Sequence, residues 1–117
     1  MDFKCLMNVG INTDNALKRF MGNETFYKRM LSKFLDDDNF LKLTKAVSCG
    51  NTKEALISAH TLKGISGNLS MERLYVLFSK QVELMRNEKW NEAFQMMPEI
   101  TENYHNVTTT LKKWLEI

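Results

Sequence analysis

His60 is the residue of this chain best placed to do chemistry. It stands in Ala59-His60-Thr61-Leu62-Lys63-Gly64-Ile65-Ser66-Gly67-Asn68-Leu69, with a lysine one turn on and glycines at the next two same-face positions. At about 100° per residue, Ala55, Ala59, Leu62, Ser66 and Leu69 gather on one side of a helix, with Ile65 at its edge. His60 points nearly the opposite way. Within about 60° of it lie Lys53, Leu56, Ile57, Lys63, Gly64 and Gly67, so the imidazole has a cation beside it and almost no side-chain bulk C-terminal to it. A partner's backbone can approach closely there. Each glycine inside a helix costs roughly 0.8–1 kcal/mol relative to alanine, less at Gly67 if the helix frays near it, so two of them beside one histidine point to a site.

A lone histidine on a helix is more often a solvated or hydrogen-bonded bystander, and here the surroundings argue otherwise. A lysine beside a histidine favours the neutral imidazole by like-charge repulsion, and the neutral ring is the nucleophilic form. The same ammonium would stabilise an anion attached to the ring. Phosphorylation meets both demands: a ring nitrogen attacks an electrophilic phosphorus, and the product carries negative charge that a nearby ammonium offsets. His105, in Tyr104-His105-Asn106, has no comparable lysine or glycine neighbours and reads as a surface residue. Cys5 and Cys49 have no CxxC or Cys/His spacing around them, which points to reduced thiols rather than zinc or a disulfide framework.

The elements that must position His60 are helical throughout. Asn12, Thr13 or Asp14 can cap a short first helix that runs to about Met21 and stops at Gly22. Asn23 caps the next, with Phe26, Tyr27, Met30, Leu31 and Phe34 as its apolar stripe. Asp36-Asp37-Asp38-Asn39 supplies an acidic turn or a helix N-terminus, followed by a helix carrying Phe40, Leu41, Leu43 and Val47. Gly50 ends that segment, Asn51 or Thr52 can cap the His60 helix, and Asn68-Leu69-Ser70 forms the turn out of it. Ser70 also reads as the N-cap of a helix from Met71 to about Asn87. The last segment, about Trp90 to Trp114, is interrupted by Pro98, which gives either a kink or a helix start. Leu111, Trp114 and Leu115 anchor its end. The expected fold class is all-α: an antiparallel four-helix bundle with one or two short additional N-terminal helices packed across it, residues 1–117 forming a single domain.

Composition agrees. A chain of 117 residues supports one continuous core, and 44% hydrophobic content, 26% charge and a single proline fit a helical domain. The eight methionines and seven phenylalanines read as core filler rather than a cofactor box. Sixteen basic and fourteen acidic residues are interspersed to a net +2, so no block is available to bind nucleic acid by counterion release. Neither a bilayer-spanning run nor a signal peptide is visible, and a cytoplasmic location is expected. Met1 and the absence of a linker tilt the expectation toward a free-standing protein.

Taken together, His60-Thr61-Leu62-Lys63-Gly64 followed by Gly67-Asn68-Leu69 resembles the signature of histidine-containing phosphotransfer (HPt) domains. Upstream, Ala16-Leu17-Lys18-Arg19-Phe20-Met21-Gly22-Asn23, then Tyr27, Leu31, Phe34 and Asp37, are similar to the same family's lead-in. Downstream, Met71-Glu72-Arg73-Leu74 and Leu77 are similar to its next helix, so the resemblance covers about residues 10 to 116. It implies a relay in a two-component pathway, without kinase activity, ATP site, metal or cofactor of its own. The chain likewise shows no glycine-rich loop or metal cluster able to hold ATP and Mg²⁺.

On this resemblance, His60 attacks an aspartyl phosphate of a response-regulator receiver domain in line through Nε2, holds the phosphoryl group as a phosphoramidate, and passes it to the aspartate of a second receiver. The Mg²⁺ belongs to the receiver. Lys63 offsets the charge, Gly64 gives the receiver's loops room and Gly67 extends that room by a turn. Lys53, Leu56 and Ile57 join the docking surface, or Leu56 and Ile57 instead pack on a neighbouring helix. Receivers, and a hybrid sensor histidine kinase that carries one, are the expected partners of a monomer.

One departure concerns the group that fixes the imidazole's tautomer, in many family members a Gln or Glu on the following helix. An ungapped count places it at Val82, which cannot hydrogen-bond, with Gln81 and Glu83 on either side; Gln81 is the expected substitute. Ser70 stands where the family usually has glycine. Three other functions compete: a phosphotransfer-inactive adaptor that only binds receivers, a small hydrolase or metalloenzyme using His60, and a purely structural bundle. The adaptor would more naturally have lost His60, Lys63 or Gly64. The enzyme would need a partnering Cys, Ser or carboxylate constellation, and the structural bundle would not need the glycines.

Overall fold

In the computed structural model, residues 3–116 are described, and they form eight helices with no strand among them. These are α1 (Lys4–Asn8), α2 (Thr13–Arg19), α3 (Glu24–Leu35), α4 (Asn39–Cys49), α5 (Thr52–Asn68), α6 (Glu72–Arg86), α7 (Trp90–Gln95) and α8 (Met97–Leu115). Three begin alike. The side chains of Asn12, Asn23 and Asn51 accept the backbone N–H three residues on, at 3.0, 2.9 and 3.1 Å, which satisfies one orphan donor each and contributes about 1 kcal/mol per cap. Gly50, at φ 68°, closes α4 in the left-handed conformation and sends the chain straight into α5.

The core is assembled from one face of each long helix. Tyr27, Leu31 and Phe34 of α3, Leu43 and Ala46 of α4, Ala55, Ala59 and Leu62 of α5, Leu74, Phe78, Val82 and Met85 of α6, and Ile100, Val107 and Leu111 of α8 are all buried. Helix α5 packs between α4 and α6, α6 also reaches α7 and α8, and α8 lies against α1 and α3. Tyr104 of α8 bridges to the other side of the molecule: Phe40 stacks on it at 4.0 Å and 9°, and Phe34 meets it at 5.5 Å. Phe3 sits 5.5 Å from Trp114, fastening the start of the described chain to its end.

Four features depart from or refine the sequence reading. Helix α1 is the second of the one or two short N-terminal helices expected, at a place the sequence reading does not give; it is five residues long, too short for a periodic signal, and Leu6 fixes it by full burial. Pro98 starts a helix rather than kinking one, because it lies in the first turn of α8, where its missing N–H leaves no intrahelical bond unmade. Ser70 is no cap: the N-cap position of α6 is Met71, without a side-chain cap bond, and Ser70 occupies the left-handed region at φ 55°. The methionines and phenylalanines are divided, since Met71 and Met85 are buried whereas Met7, Met21 and Phe26 stand exposed, Met21 at 93%.

Candidate functional site

The site is laid out on α5, whose two faces separate as the periodicity predicts. Ala55, Ala59, Leu62, Ser66 and the following Leu69 are buried, Ile65 is half-buried at the edge, and His60 is exposed on the far side. Burying Leu62 contributes about 1.5–3 kcal/mol, which fixes the rotation of the helix and hence the outward aim of His60. Ser58 is also buried, against α5's polar pattern. Inside the helix the Ser66 hydroxyl donates back to the Leu62 carbonyl at 2.8 Å, so its burial leaves no donor unmet.

The C-terminal end of α5 is held by contacts from distant parts of the chain. The Tyr27 hydroxyl donates to the Leu69 carbonyl at 3.2 Å, and burial of this phenol pushes its pKa up. Ile11 and Met71 form an isolated antiparallel bridge, and the Asn12 N–H donates to the Ser70 carbonyl at 2.8 Å. The Asn12 amide donates to Glu72 at 2.9 Å and the Asn15 amide to the Ser70 hydroxyl at 3.3 Å. These bonds dock α2 beside the α5–α6 turn. A groove of about 630 Å³ results, in which Asn15 and Arg19 of α2 and Glu72, Tyr75 and Val76 of α6 face His60, Lys63, Gly64 and Gly67 of α5.

The two glycines of this groove differ. A Cβ built on Gly64 meets nothing within 4 Å, so the backbone one turn past His60 is open to an approaching partner. A Cβ on Gly67 would lie 3.0 Å from Cδ1 and Cε1 of Tyr75. Gly67 therefore does not extend the open space, contrary to the expectation; its missing side chain lets the Tyr75 ring lie against the helix. The ring stays 41% exposed and adjoins exposed Val76.

Of the remaining expected residues, Lys63 is half-buried and lines both the His60 groove and a smaller one with Val82, Glu83 and Arg86. Leu56 packs against the core, as the second of the two alternatives weighed for this pair has it, whereas Ile57 is 50% exposed. Lys53 is exposed in the first turn of α5 and, like Leu56 and Ile57, does not line the groove.

Gln81 is elsewhere. It is fully buried, its amide donating to the Ala93 carbonyl at 3.1 Å and to the Met97 sulfur at 3.3 Å, so it holds α7 and α8 and does not orient the imidazole. The reason is angular: Val82 turns toward α5, and a neighbour about 100° away on the same helix turns off it.

The group beside His60 is Arg86, one turn past Val82, with Nη2 3.4 Å from Nδ1. The sequence reading missed it. Its spacing from Val82 is the only signal in the chain that could have found it, since a residue four positions on shares the same helix face. Among the described residues no carboxylate lies within ion-pairing distance of Lys63, Arg86 or Arg19, the one ion pair shown being Lys42–Asp38 at 3.5 Å. An exposed imidazole thus stands beside cations that are not tied up in close ion pairs, with the carboxylates of Glu72 and Glu83 on the walls of the same two grooves. Among the described residues no three His, Cys, Asp or Glu side chains gather as a metal would require, and no helix is long and apolar enough to cross a membrane. Cys5 and Cys49 are exposed free thiols. His105 is exposed on α8 with only Thr109 near its Nε2, at 3.5 Å. Comparison with protein-family models, with curated proteins and with solved structures finds no match.

Proposed function

We propose that this protein is a histidine phosphotransfer protein of a two-component phosphorelay, accepting a phosphoryl group from a receiver-domain aspartate on His60 and passing it to another receiver. The observation that carries the reading is the company of His60 on α5: an exposed imidazole, an open backbone at Gly64 and, at Lys63, an ammonium with no carboxylate within ion-pairing distance among the described residues. A nucleophile needs access, a receiver loop needs room, and a dianionic product needs cations; the three requirements meet on two turns of α5. The adaptor reading needs only the room and leaves the imidazole and its cations without a task.

In the reaction the imidazole lone pair attacks phosphorus as the bond to the aspartate oxygen breaks, and the electron pair leaves with the carboxylate. Lys63 offsets the charge that arrives. The chain supplies the nucleophile and the field around it, while the Mg²⁺ and the stabilisation of the leaving carboxylate belong to the receiver. Val76 and Tyr75 offer apolar contact area at the groove's edge, which suits a small, transient interface. The architecture that goes with this reading is an antiparallel four-helix bundle carrying short N-terminal helices, acting as a cytoplasmic monomer.

The test is incubation with acetyl-phosphate-charged receiver domains and Mg²⁺, followed by mass spectrometry under neutral or alkaline conditions that preserve phosphohistidine. The expected result is one phosphoryl group on His60, absent in His60→Gln. No uptake from any receiver that measurably binds would overturn phosphotransfer in favour of the adaptor.

A further inference from the structure

We infer that Arg86 is a positioning residue which, by donating a hydrogen bond to His60 Nδ1, holds the site in a slow state for phosphoryl transfer in both directions until a docked receiver displaces it. The inference rests on the phosphotransfer reading.

The argument begins with what a guanidinium is able to do. It carries only N–H donors, no acceptor, and stays charged at any physiological pH. Nη2 stands 3.4 Å from Nδ1, and a hydrogen bond between them requires the ring nitrogen to accept, which puts the proton of the neutral imidazole on Nε2. Nothing else competes for this choice. Val82, at the position expected of an orienting acceptor, is buried hydrocarbon, and Gln81 is engaged with Ala93 and Met97. The other charged groups around the ring are Lys63 on α5, Glu83 and Glu72 on α6 and Arg19 on α2, and none bonds it. Arg86 is therefore the one side chain shown within hydrogen-bond distance of the His60 ring among the described residues, and the group that biases its tautomer. The contact is long and both groups are exposed, so a protein surface arriving at Gly64 is able to break it.

The consequence for each direction follows from the proton. On the way in, the Nε2 lone pair forms the N–P bond while the P–O bond to the aspartate breaks and the carboxylate takes the electron pair. The product ring bears the phosphoryl group on Nε2 and a proton on Nδ1. With Nδ1 accepting from Arg86, the proton starts on Nε2 and must first pass to Nδ1 through water. On the way out, the ring departs easily only as a neutral imidazole, which requires that proton on Nδ1. A guanidinium donating to Nδ1 keeps it off, so both forward transfer and hydrolysis are slowed. The phosphoryl group is thereby retained between encounters.

Two measurements test this. The first is ¹⁵N NMR of the His60 ring in the unphosphorylated protein: the wild type is expected mainly as the Nε2–H tautomer, Arg86→Lys likewise, and Arg86→Gln, whose carbonyl accepts from Nδ1–H, shifted toward the other tautomer. The second is the pH profile of phosphohistidine lifetime. Arg86→Gln should shorten the lifetime at neutral pH by roughly tenfold or more, as proton placement in acid–base steps does, and move the profile's inflection to higher pH, with Arg86→Lys restoring wild-type behaviour. A wild-type ring that is mainly Nδ1–H, or a tautomer and lifetime unchanged in Arg86→Gln, overturns the inference and leaves the relay standing. Failure of His60 to take up phosphoryl groups at all overturns both. Arg86 is exposed, so folding is not at stake in these variants.

Discussion

Along the outward face of α5 the stretch around Gly64 is bare, while the stretch around Gly67 is covered by the Tyr75 ring. Both are glycines on one side of one helix, a turn apart, next to the same groove. What separates them is the neighbouring helix. Tyr75 leaves α6 just after the α5–α6 turn, where the two helices are still close, and its ring uses the space a Cβ would take. By Gly64 no side chain reaches across. A glycine in a helix thus either leaves its backbone bare or seats a side chain of the same molecule, and the local sequence does not say which.

On the phosphotransfer reading proposed above, the comparison is broken most severely at His60, one turn before the bare stretch. His60→Gln should bring phosphoryl acceptance to background in the receiver assay, with the helical circular dichroism spectrum retained, whereas His105→Gln should transfer as the wild type does. Lys63→Ala should slow transfer or shorten the phosphohistidine's lifetime by about tenfold, corresponding to about 1.4 kcal/mol of lost charge stabilisation, while receiver binding measured by titration changes less.

Replacing the glycines by larger residues separates docking from stability. Gly64→Gln should weaken receiver binding by roughly tenfold or more in titration calorimetry, since a side chain would stand in the space a partner's backbone needs. Gly64→Ala should raise stability in urea by about 0.8–1 kcal/mol, the helix propensity difference, because its methyl group meets nothing. Gly67→Ala is the smallest effect: the propensity gain is offset by displacement of the Tyr75 ring, so stability should change by no more than a few tenths of a kcal/mol. The same substitution in a Tyr75→Ala background should recover the gain, a non-additivity that a double-mutant cycle reads directly. An additive cycle would mean that Tyr75 and Gly67 do not interact.

Much of the fold was legible because it rests on short-range rules. The cap at Asn23, the stop at Gly50 and the buried row Ala55, Ala59, Leu62, Ser66 and Leu69 all follow from residues within a turn or two of one another, and the caps at Asn12 and Asn51 are narrowed to within one or two residues, the structure choosing asparagine each time. The site was legible where it lies on α5 itself. It was illegible wherever a second helix supplied the partner: Gln81 and Val82 are adjacent in sequence and face different neighbours, and Arg86 meets His60 across 26 positions of chain. Ser70 misled for a related reason. Its hydroxyl is taken by Asn15, from a helix 55 positions earlier, in a turn whose left-handed backbone leaves no role as a cap.

The sequence by itself determined that the chain is helical, where α5 begins and ends, and that His60 points away from the core with Lys63 and Gly64 beside it, because periodicity and capping act through neighbours in the chain. The tertiary structure alone decided that α2 closes one side of the groove, that Tyr75 fills the space over Gly67 and that Arg86 rather than Gln81 meets the imidazole. Those contacts depend on how α2, α5 and α6 are rotated about their axes when their apolar faces are buried together, and such rotations are set by packing across the whole core.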